Sequence, residues 1–520
     1  MLSEGVPVKR RLPLFAIVAA LSVVSLSGCL FLPSFTTPSG DPTPSGPAPT
    51  DIEGFYSQTL TWDSCGGGLQ CATAHAPIDW DAPADGSIEL ALVKQPATGT
   101  AQGSLLLNPG GPGGSGWDYV YQSGEYSAGA DVVENFDIIG WDPRGVGQST
   151  PVICYTEPED TDEALYGTFD SPYNTEGWIE ELTADELDFA AACEANTGEL
   201  LGNVDTVSNA KDMDMLRAVL GDDKLNFLGY SYGTYFGAVY AEMFPDRVGR
   251  FVLDGAVDPL VSDFESLKFQ MAGFDSAFRA YLQYCLDSGD CPFTGSVDEA
   301  ASQVRGVLDG VDALGLVNDD GRVLDSATLA TGIILNLYDE SFWSDMTSMF
   351  VALADGDPSL AFQSADQYNS RNTDGSYSSN SFDVYVAATC VDGDFASDPE
   401  STLDRIAEID AAAPILGKHA TYDDFAVLDV ACSNWPYPRA DLPTEFDADG
   451  APPILVIGTT NDPATPYASS VSLAAQLSSG VLVSYTGEGH TIYNQGVACI
   501  DTVVDDYFVN GTVPAADPMC

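Results

Sequence analysis

The residues with the clearest chemical meaning are a serine, an aspartate and a histidine in three separate motifs. Ser231 lies in the segment GYSYG at 229–233, between a strand-like run at 225–228 and a helical stretch that reaches about residue 244. A serine on a sharp strand-to-helix turn needs small neighbours two positions away, because the backbone is tightly packed there. The helix N-terminus also favours developing negative charge. We predict that Ser231 is a nucleophile; helix capping is the structural alternative.

A serine nucleophile needs a base, and the chain contains 3 histidines. In hydrolases with this strand–turn–helix motif the serine comes first along the chain, then the acid, then the histidine, which excludes His75. His490 lies on a loop after the strand-like run 481–485, whereas His419 lies in a helical stretch. We predict that His490 is the base and that His419 is a packing or surface residue.

The acid of such a site orients the imidazole and stabilises its charged form. Asp462 lies in the loop 459–466, directly after the apolar run 453–458. Loops at the carboxyl ends of parallel strands converge on one crevice, so Asp462 is predicted to be the acid. Asp254 and Asp258, after an earlier strand, are the alternative acids, and Asp462 could instead cap a turn.

A glycine-rich run, NPGGPGGSG at 108–116, follows the apolar residues 104–107. Glycines let the backbone approach a substrate carbonyl closely. An oxyanion hole needs two amide donors, and we predict Tyr232 for one and Gly110 or Gly111 for the other. A phosphate-binding loop is excluded, because the run lacks both the Gly-Lys-Ser/Thr ending and the G-x-G-x-x-G spacing.

Strand-like runs alternate with helical segments through most of the chain, which predicts an α/β fold with a mostly parallel sheet. Between about 260 and 440 this alternation gives way to helices and loops, including a polar run at 369–380. We predict an inserted, largely helical lid at 260–440. The α/β core is then expected at 53–259 and 441–520.

The N-terminus has the pattern of an export signal. Basic residues at 9–11 precede an apolar run at 12–26, which is shorter than the roughly 20 residues of a membrane span. The run ends in LSGC, which resembles a bacterial lipobox. We predict a lipoprotein signal peptide at 1–28, lipidation of Cys29 and a Pro/Ser/Thr-rich tether at 29–52. Simple secretion and a retained membrane anchor are the alternatives.

The chain has 11 cysteines, and ten remain once Cys29 is set aside. An even number of cysteines and an export signal indicate an oxidising compartment. Sequence does not fix connectivity in general, but short loops close at low entropic cost, so we predict nearest-neighbour pairs. With so few histidines and no Cys-x-x-Cys, we expect no metal and no cofactor. The predicted pairs are Cys65–Cys71, Cys154–Cys193, Cys285–Cys291, Cys390–Cys432 and Cys499–Cys520.

The formal net charge is −60, from 78 acidic and 18 basic residues. Nucleic-acid binding is excluded as a function, because neutralising phosphates requires Lys and Arg. An acidic surface also repels anionic membranes, so membrane association is expected through a lipid anchor only. The charge fits either a generally acidic proteome or the attraction of cationic substrates.

Five motifs together resemble the prolyl iminopeptidase and tripeptidyl aminopeptidase family, especially its secreted and cell-envelope members from actinobacteria. They are PGGPG at 109–113, DPRGVGQS at 142–149, the segment 229–233, Asp462 and the pair at 489–490. The likeness spans about 55–520, and the part from about 430 resembles the domain named after the tripeptidyl aminopeptidases.

The resemblance implies an α/β-hydrolase fold, with the triad at Ser231, Asp462 and His490 and the oxyanion hole at Tyr232 and the early glycines. Iminopeptidases begin the glycine loop with His, whereas this chain has Asn108-Pro109, as the tripeptidyl aminopeptidase-like branch does. We expect the turn at 142–144 to be an ion pair that braces the glycine loop.

The resemblance also implies a secreted aminopeptidase that releases tripeptides or short N-terminal pieces from peptides or proteins through an acyl-enzyme. A carboxylesterase with the same triad is the alternative, and an inactive lipid-anchored binding protein is a third. We expect the protein at the outer face of the cytoplasmic membrane, anchored or released. An aminopeptidase must hold its substrate's ammonium group, for which Asp392, Asp394 and Glu488 are the candidate carboxylates.

Overall fold

The computed structural model describes residues 46–395, 398–423, 425–515 and 517–520. The predicted signal peptide, Cys29 and most of the predicted tether lie outside these residues. Residues 46–51 lead into a short helix capped by Asp51, whose side chain accepts a hydrogen bond from the Gly54 amide. In the described part of the chain, no helix is both long and apolar enough to cross a membrane.

A nine-stranded sheet in the order β1-β2-β3-β5-β4-β6-β7-β8-β9 forms the centre of the fold. The strands from β5 to β9 in this order are parallel, and β1, β2 and β3 add an antiparallel edge beside β5. The predicted α/β-hydrolase fold with a mostly parallel sheet is confirmed. The strands are β1 Asp63–Gly66, β2 Leu69–Pro77, β3 Ser87–Gln95, β4 Ser104–Asn108, β5 Asp137–Trp141, β6 Leu225–Tyr230, β7 Val248–Asp254, β8 Ile454–Asn461 and β9 Gly480–Glu488.

The parallel strands are apolar on both faces because helices cover both sides of the sheet. In β8, Ile454 and Val456 pack into one buried cluster, with the helices α6 and α7. Leu455 and Ile457 pack into another, with α2, α3 and α18. The near-continuous apolar runs in the sequence follow from this two-sided burial.

The helices that surround the sheet and fill the connections are as follows: α1 Ile52–Ser57, α2 Gly116–Ser123, α3 Ala130–Asn135, α4 Pro158–Tyr166, α5 Glu176–Thr197, α6 Thr206–Leu220, α7 Gly233–Met243, α8 Asp263–Ser288, α9 Val297–Leu308, α10 Ser326–Leu337, α11 Trp343–Ala354, α12 Ser359–Tyr368, α13 Ser381–Asp392, α14 Pro399–Ala412, α15 Gly417–Asp423, α16 Phe425–Ser433, α17 Tyr467–Gln476 and α18 Ala498–Asn510.

The long connection between β7 and β8 carries α8 to α16. Helix α13 packs into the cluster that contains α6 and α7, whereas the other helices of the connection pack around a third buried apolar cluster. Tyr166 and Trp178, from α4 and α5, belong to the same cluster. This helical layer therefore draws on a second connection, between β5 and β6, besides the residues predicted to form the lid. The predicted division into a core and a lid stays a prediction.

The described residues contain five disulfides, and these are the five nearest-neighbour pairs predicted from the sequence. Cys390–Cys432 joins α13 to α16 in the helical layer. Cys499–Cys520 joins α18 to the C-terminal residue. Each bridge therefore closes a local loop.

Candidate active site

The turn between β6 and α7 holds Ser231 in a left-handed conformation, with φ of 53°. Its amide donates to the carbonyl oxygen of Asp254, at the end of β7, at 2.9 Å. A Cβ on Gly229 would lie 2.5 Å from the Gly233 carbonyl oxygen, and one on Gly233 would lie 2.7 Å from Asn108 Oδ1. The small residues on either side of the serine are thus required by close packing.

Asp462 and His490 meet on the loops that follow β8 and β9. His490 Nδ1 lies 2.8 Å and 3.0 Å from the two carboxylate oxygens of Asp462. Both side chains are buried, at 7% and 0% exposure. The carboxylate also accepts hydrogen bonds from the amides of Ala464 and Thr465. The carboxylate therefore fixes the orientation of the imidazole ring through Nδ1.

The electrostatics of the pair favour a charged imidazole. Burial lowers the pKa of His490, but the Asp462 carboxylate, its hydrogen bond and the nearby Asp254 outweigh this, so the pKa is raised overall. Nε2 is buried, and no group of the described residues bonds to it. This nitrogen is the one that can exchange a proton with another group.

Asp254, an alternative acid, is also buried in the site but serves another loop. Its Oδ2 accepts hydrogen bonds from the amides of Ile492 and Tyr493, two and three residues after the histidine. Burial raises the pKa of this carboxyl to about 6. Asp258, the second alternative, accepts hydrogen bonds from Gln476 Nε2 and the Leu260 amide. Of the three aspartates, only Asp462 is hydrogen-bonded to the imidazole in the described structure.

Two contacts of the pair were not predicted from the sequence. Thr465 Oγ1 lies 3.0 Å from Asp462 Oδ2 and 3.2 Å from His490 Nδ1. The His490 amide donates to the carbonyl oxygen of Tyr338 at 2.9 Å, and the two rings meet edge to face at 5.4 Å between centroids. Tyr338 comes from the end of α10, so the helical layer helps to hold the histidine loop. The only sequence feature that points to Thr465 is its position three residues after Asp462. No local sequence feature points to Tyr338.

The glycine loop after β4 lies against the serine turn. A Cβ on Gly110 would stand 2.8 Å from the Ser231 Cβ and 3.0 Å from the Tyr232 amide nitrogen. The Gly110 amide already donates to Asn108 Oδ1 at 2.9 Å. The Gly111 and Tyr232 amides donate to no described residue, and both residues line the cavity beside Ser231. Of the two predicted glycines, Gly111 has the amide free for an oxyanion.

The turn at 142–144 is not the predicted ion pair. Arg144 pairs instead with Asp212, at 2.7 Å with both side chains fully buried. Asp142 accepts hydrogen bonds from the Ser115 hydroxyl and from the amides of Trp117 and Gln148. Asp142 therefore does hold the end of the glycine loop, as a hydrogen-bond acceptor. The partner of Arg144 could not be predicted because it lies 68 residues further along the chain.

A cavity of about 490 Å³ opens beside Ser231. Its floor includes Gly111, Ser231 and Tyr232, and its far wall comes from the helical layer. That wall combines apolar side chains with several carboxylates and one cation. They are Leu267, Phe395, Phe425 and Leu428, then Asp263, Asp392 and Asp394, and Arg439.

The three carboxylates predicted to bind an ammonium group occupy different settings. Asp392 and Asp394 line the cavity, whereas Glu488 accepts a hydrogen bond from Asn461 away from the lining residues. Asp392 is buried, and its oxygens accept bonds from Thr206 and from the Tyr232 hydroxyl. Asp394 is 84% exposed and lies 3.8 Å from Arg439.

The remaining histidines stand apart from this site. His419 is buried in the helical layer, 3.1 Å from Asp309, and burial lowers its pKa to about 4. His75 lies in β2, and its Nε2 is 3.5 Å from the Gly46 carbonyl oxygen. Within the described ranges, no group of three or more His, Cys, Asp or Glu residues could hold a metal ion.

Residues 418–520 match the family described as TAP-like protein. Serine protease Hip1 of Mycobacterium tuberculosis is 35% identical over 541 aligned positions, which cover 100% of this chain and 99% of that protein. The chain belongs to the TAP-like family of α/β hydrolases. This confirms the resemblance inferred from the motifs, and as a family member the chain is a serine hydrolase.

Other TAP-like relatives have different names. Carboxylesterase B of M. tuberculosis is 36% identical over 454 residues, which cover 87% of this chain and 86% of that protein. Tripeptidyl aminopeptidase of Streptomyces lividans is 28% identical over 474 residues, covering 89% and 86%. Proteins named for peptide and for ester hydrolysis therefore both align with most of the chain.

Proposed function

We propose that this TAP-like protein is an exported serine aminopeptidase that releases short N-terminal peptides, with Ser231, His490 and Asp462 as its triad. The observation that carries the proposal is the buried Asp462–His490 hydrogen bond, with Nε2 unbonded, on the edge of the sheet that also presents Ser231. Relatives named as a serine protease and a tripeptidyl aminopeptidase support peptides as the substrate class.

In this mechanism the Ser231 hydroxyl attacks the scissile carbonyl while His490 Nε2 takes its proton. The Gly111 and Tyr232 amides donate to the oxyanion, and Asp462 stabilises the imidazolium. His490 returns the proton to the leaving amine, and water then hydrolyses the acyl-enzyme by the same steps. Because the pKa of His490 is raised, activity should fall on acidification from a higher pH than for an ordinary histidine.

We assign the substrate ammonium group to Asp263 and Asp394 on the helical wall. The Asp394 amide donates to Asp263 Oδ2 at 2.9 Å, which holds the two residues side by side at the cavity. Asp392 lies on the same wall, but it is buried and its oxygens accept bonds from Thr206 and Tyr232, whereas the Asp394 side chain is exposed and has Arg439 at 3.8 Å. An exposed carboxylate beside an ammonium group typically contributes up to about 1 kcal/mol.

A fluorophosphonate probe that labels activated serines tests the triad. Wild-type protein should be labelled, and Ser231→Ala should not. Ser302→Ala, which removes a surface hydroxyl of α9, is the matched control and should be labelled like wild type. Full labelling of Ser231→Ala would refute the assignment of the nucleophile.

A carboxylesterase is the second candidate, because a relative of that name aligns with most of the chain. Tripeptidyl anilides, their N-acetylated forms and short acyl esters separate the two activities. An aminopeptidase hydrolyses the free-amine anilides and loses most of that activity on acetylation. Turnover of esters alone would reject the peptidase proposal.

We also propose that the protein is exported and lipid-anchored through Cys29. The support is the signal-like sequence at 1–28 and the odd cysteine left after five disulfides form. Cys29→Ala should move the protein from the membrane fraction to the culture medium or the soluble envelope fraction. An unchanged distribution would contradict the anchor.

A further inference from the structure

The residue after the nucleophile has a side chain that reaches into the helical layer. The Tyr232 hydroxyl donates to Asp392 Oδ2 at 3.0 Å and lies 3.0 Å from Thr206 Oγ1. Thr206 Oγ1 also donates to Asp392 Oδ2, at 2.6 Å. Three residues from separate segments thus form a closed hydrogen-bonded group.

Each member of this group is held from outside it. Asp392 ends α13, two residues after Cys390, which is bonded to Cys432 in α16. Thr206 begins α6, and its amide donates to both Asp392 oxygens at 3.1 Å and 3.2 Å. A carboxylate at a helix N-terminus is stabilised by the helix dipole. The group therefore connects the start of α6 to the end of α13 in the helical layer.

Tyr232 connects this group to the chemistry through its backbone. Its amide donates to no described residue and is one of the two donors assigned above to the oxyanion. A shift of the Tyr232 side chain would move that amide, because the residue sits in a tight turn directly after Ser231. The position of an oxyanion donor strongly affects the rate, since it acts only on the charge that develops in the transition state.

We infer that Asp392 is a positioning residue, which sets the oxyanion donor of Tyr232 through the tyrosine hydroxyl and Thr206. This inference rests on the proposed acyl-transfer mechanism, and it assigns Asp392 a role other than binding the substrate ammonium group. A residue of the helical layer thereby controls the rate of the reaction as well as the shape of the cavity.

The rate of labelling by a fluorophosphonate without an amino group tests this assignment. The probe forms a tetrahedral adduct that uses the oxyanion hole but has no ammonium group to bind. Outright loss of one oxyanion donor lowers the rate about 100-fold or more, so a displaced donor should lower it by about tenfold. We expect this loss in Asp392→Asn, in Tyr232→Phe and in Thr206→Val, and we expect Thr206→Ser to restore labelling relative to Thr206→Val.

The double variant Asp392→Asn/Tyr232→Phe should lose no more than either single variant, because both act through one hydrogen bond. With tripeptidyl anilides, kcat should fall while KM stays near the wild-type value. Asp383→Asn is the matched control: it neutralises another buried carboxylate of α13, one that accepts the Cys154 amide and does not touch Tyr232. Its labelling rate should equal that of wild type.

Unchanged labelling of Asp392→Asn and Tyr232→Phe, with a raised KM for free-amine peptides, would overturn the inference and return Asp392 to the ammonium site. Failure of the proposed function looks different, because Ser231→Ala would then still be labelled. Additive losses in the double variant would also reject the shared route through the tyrosine hydroxyl.

Discussion

The two walls of the cavity differ in how they are built. On the sheet side Ser231 lines the cavity after β6, and Asp462 and His490 lie on the loops that follow β8 and β9. The helical side presents Asp263 from α8, Asp392 from the end of α13 and Asp394 just after that helix. The residues on the sheet side come from short, local motifs, whereas those on the helical side come together only through the packing of distant segments.

The largest effect on activity is expected from a substitution on the sheet side. Asp462→Asn should lower kcat about 10⁴-fold, because an amide cannot hold the imidazole in the required tautomer or stabilise its charge. Steady-state kinetics on a tripeptidyl anilide measure it. Asp254→Asn is the matched control: the Asp254 side chain accepts hydrogen bonds only from backbone amides of the histidine loop, so this variant should lose far less activity. Equal losses in both variants would mean that the acid is misassigned.

A structural change to the helical side should come next. Replacing Cys390 and Cys432 by serine opens a loop of sequence separation 42, which should lower the free energy of unfolding by about 4 kcal/mol. Replacing Cys285 and Cys291, with a separation of 6, should lower it by about 2 kcal/mol. Denaturant unfolding of the two variants compares them directly. A larger loss from the shorter loop would contradict the expected order.

Charge removal on the helical wall should affect binding more than rate. Asp263→Asn and Asp394→Asn should each raise KM for a free-amine tripeptidyl anilide by up to about fivefold, from the loss of one ion pair. KM for the N-acetylated substrate should not change, because it carries no ammonium group. A parallel rise of KM for both substrates would argue against an ammonium site there.

The smallest expected effect is a pH dependence of the free energy of unfolding, to which buried carboxyl groups on both sides contribute. Burial raises the pKa of Asp142 and Asp392 to about 7, of Asp254 and Asp383 to about 6 and of Glu186 to about 8. The folded chain then binds more protons than the unfolded chain between about pH 4 and 8, so stability falls as pH rises. We expect at least about 1 kcal/mol more stability at pH 5.5 than at pH 8, by denaturant unfolding. Greater stability at pH 8 would contradict this.

The sequence predicted the parallel strands and the fold, because strands buried on both faces leave continuous apolar runs. It predicted positions for Ser231, Asp462 and His490, and the structure brings the last two into contact, although their catalytic roles stay predictions. It did not predict the antiparallel edge. The buried positions of β2 include Ala72, Ala74 and Ala76, and alanine has little preference for strands.

The contacts that sequence reasoning missed join residues far apart in the chain. Arg144 pairs with Asp212, and His490 bonds to Tyr338, and neither partner lies in a recognisable motif. Asp263 reaches the cavity only because α8 packs beside the chain that follows α13. Such pairings depend on tertiary packing, which local patterns do not encode.

The hydrogen bond from the His490 amide to the Tyr338 carbonyl has a consequence for folding. A chain in which only the sheet has formed lacks the Tyr338 carbonyl that holds the histidine loop. It also lacks the far wall of the cavity. The position of the histidine loop therefore depends on the docking of the helices between β7 and β8. The geometry of this loop is thus tied to the folding of a segment that lies more than a hundred residues earlier in the chain.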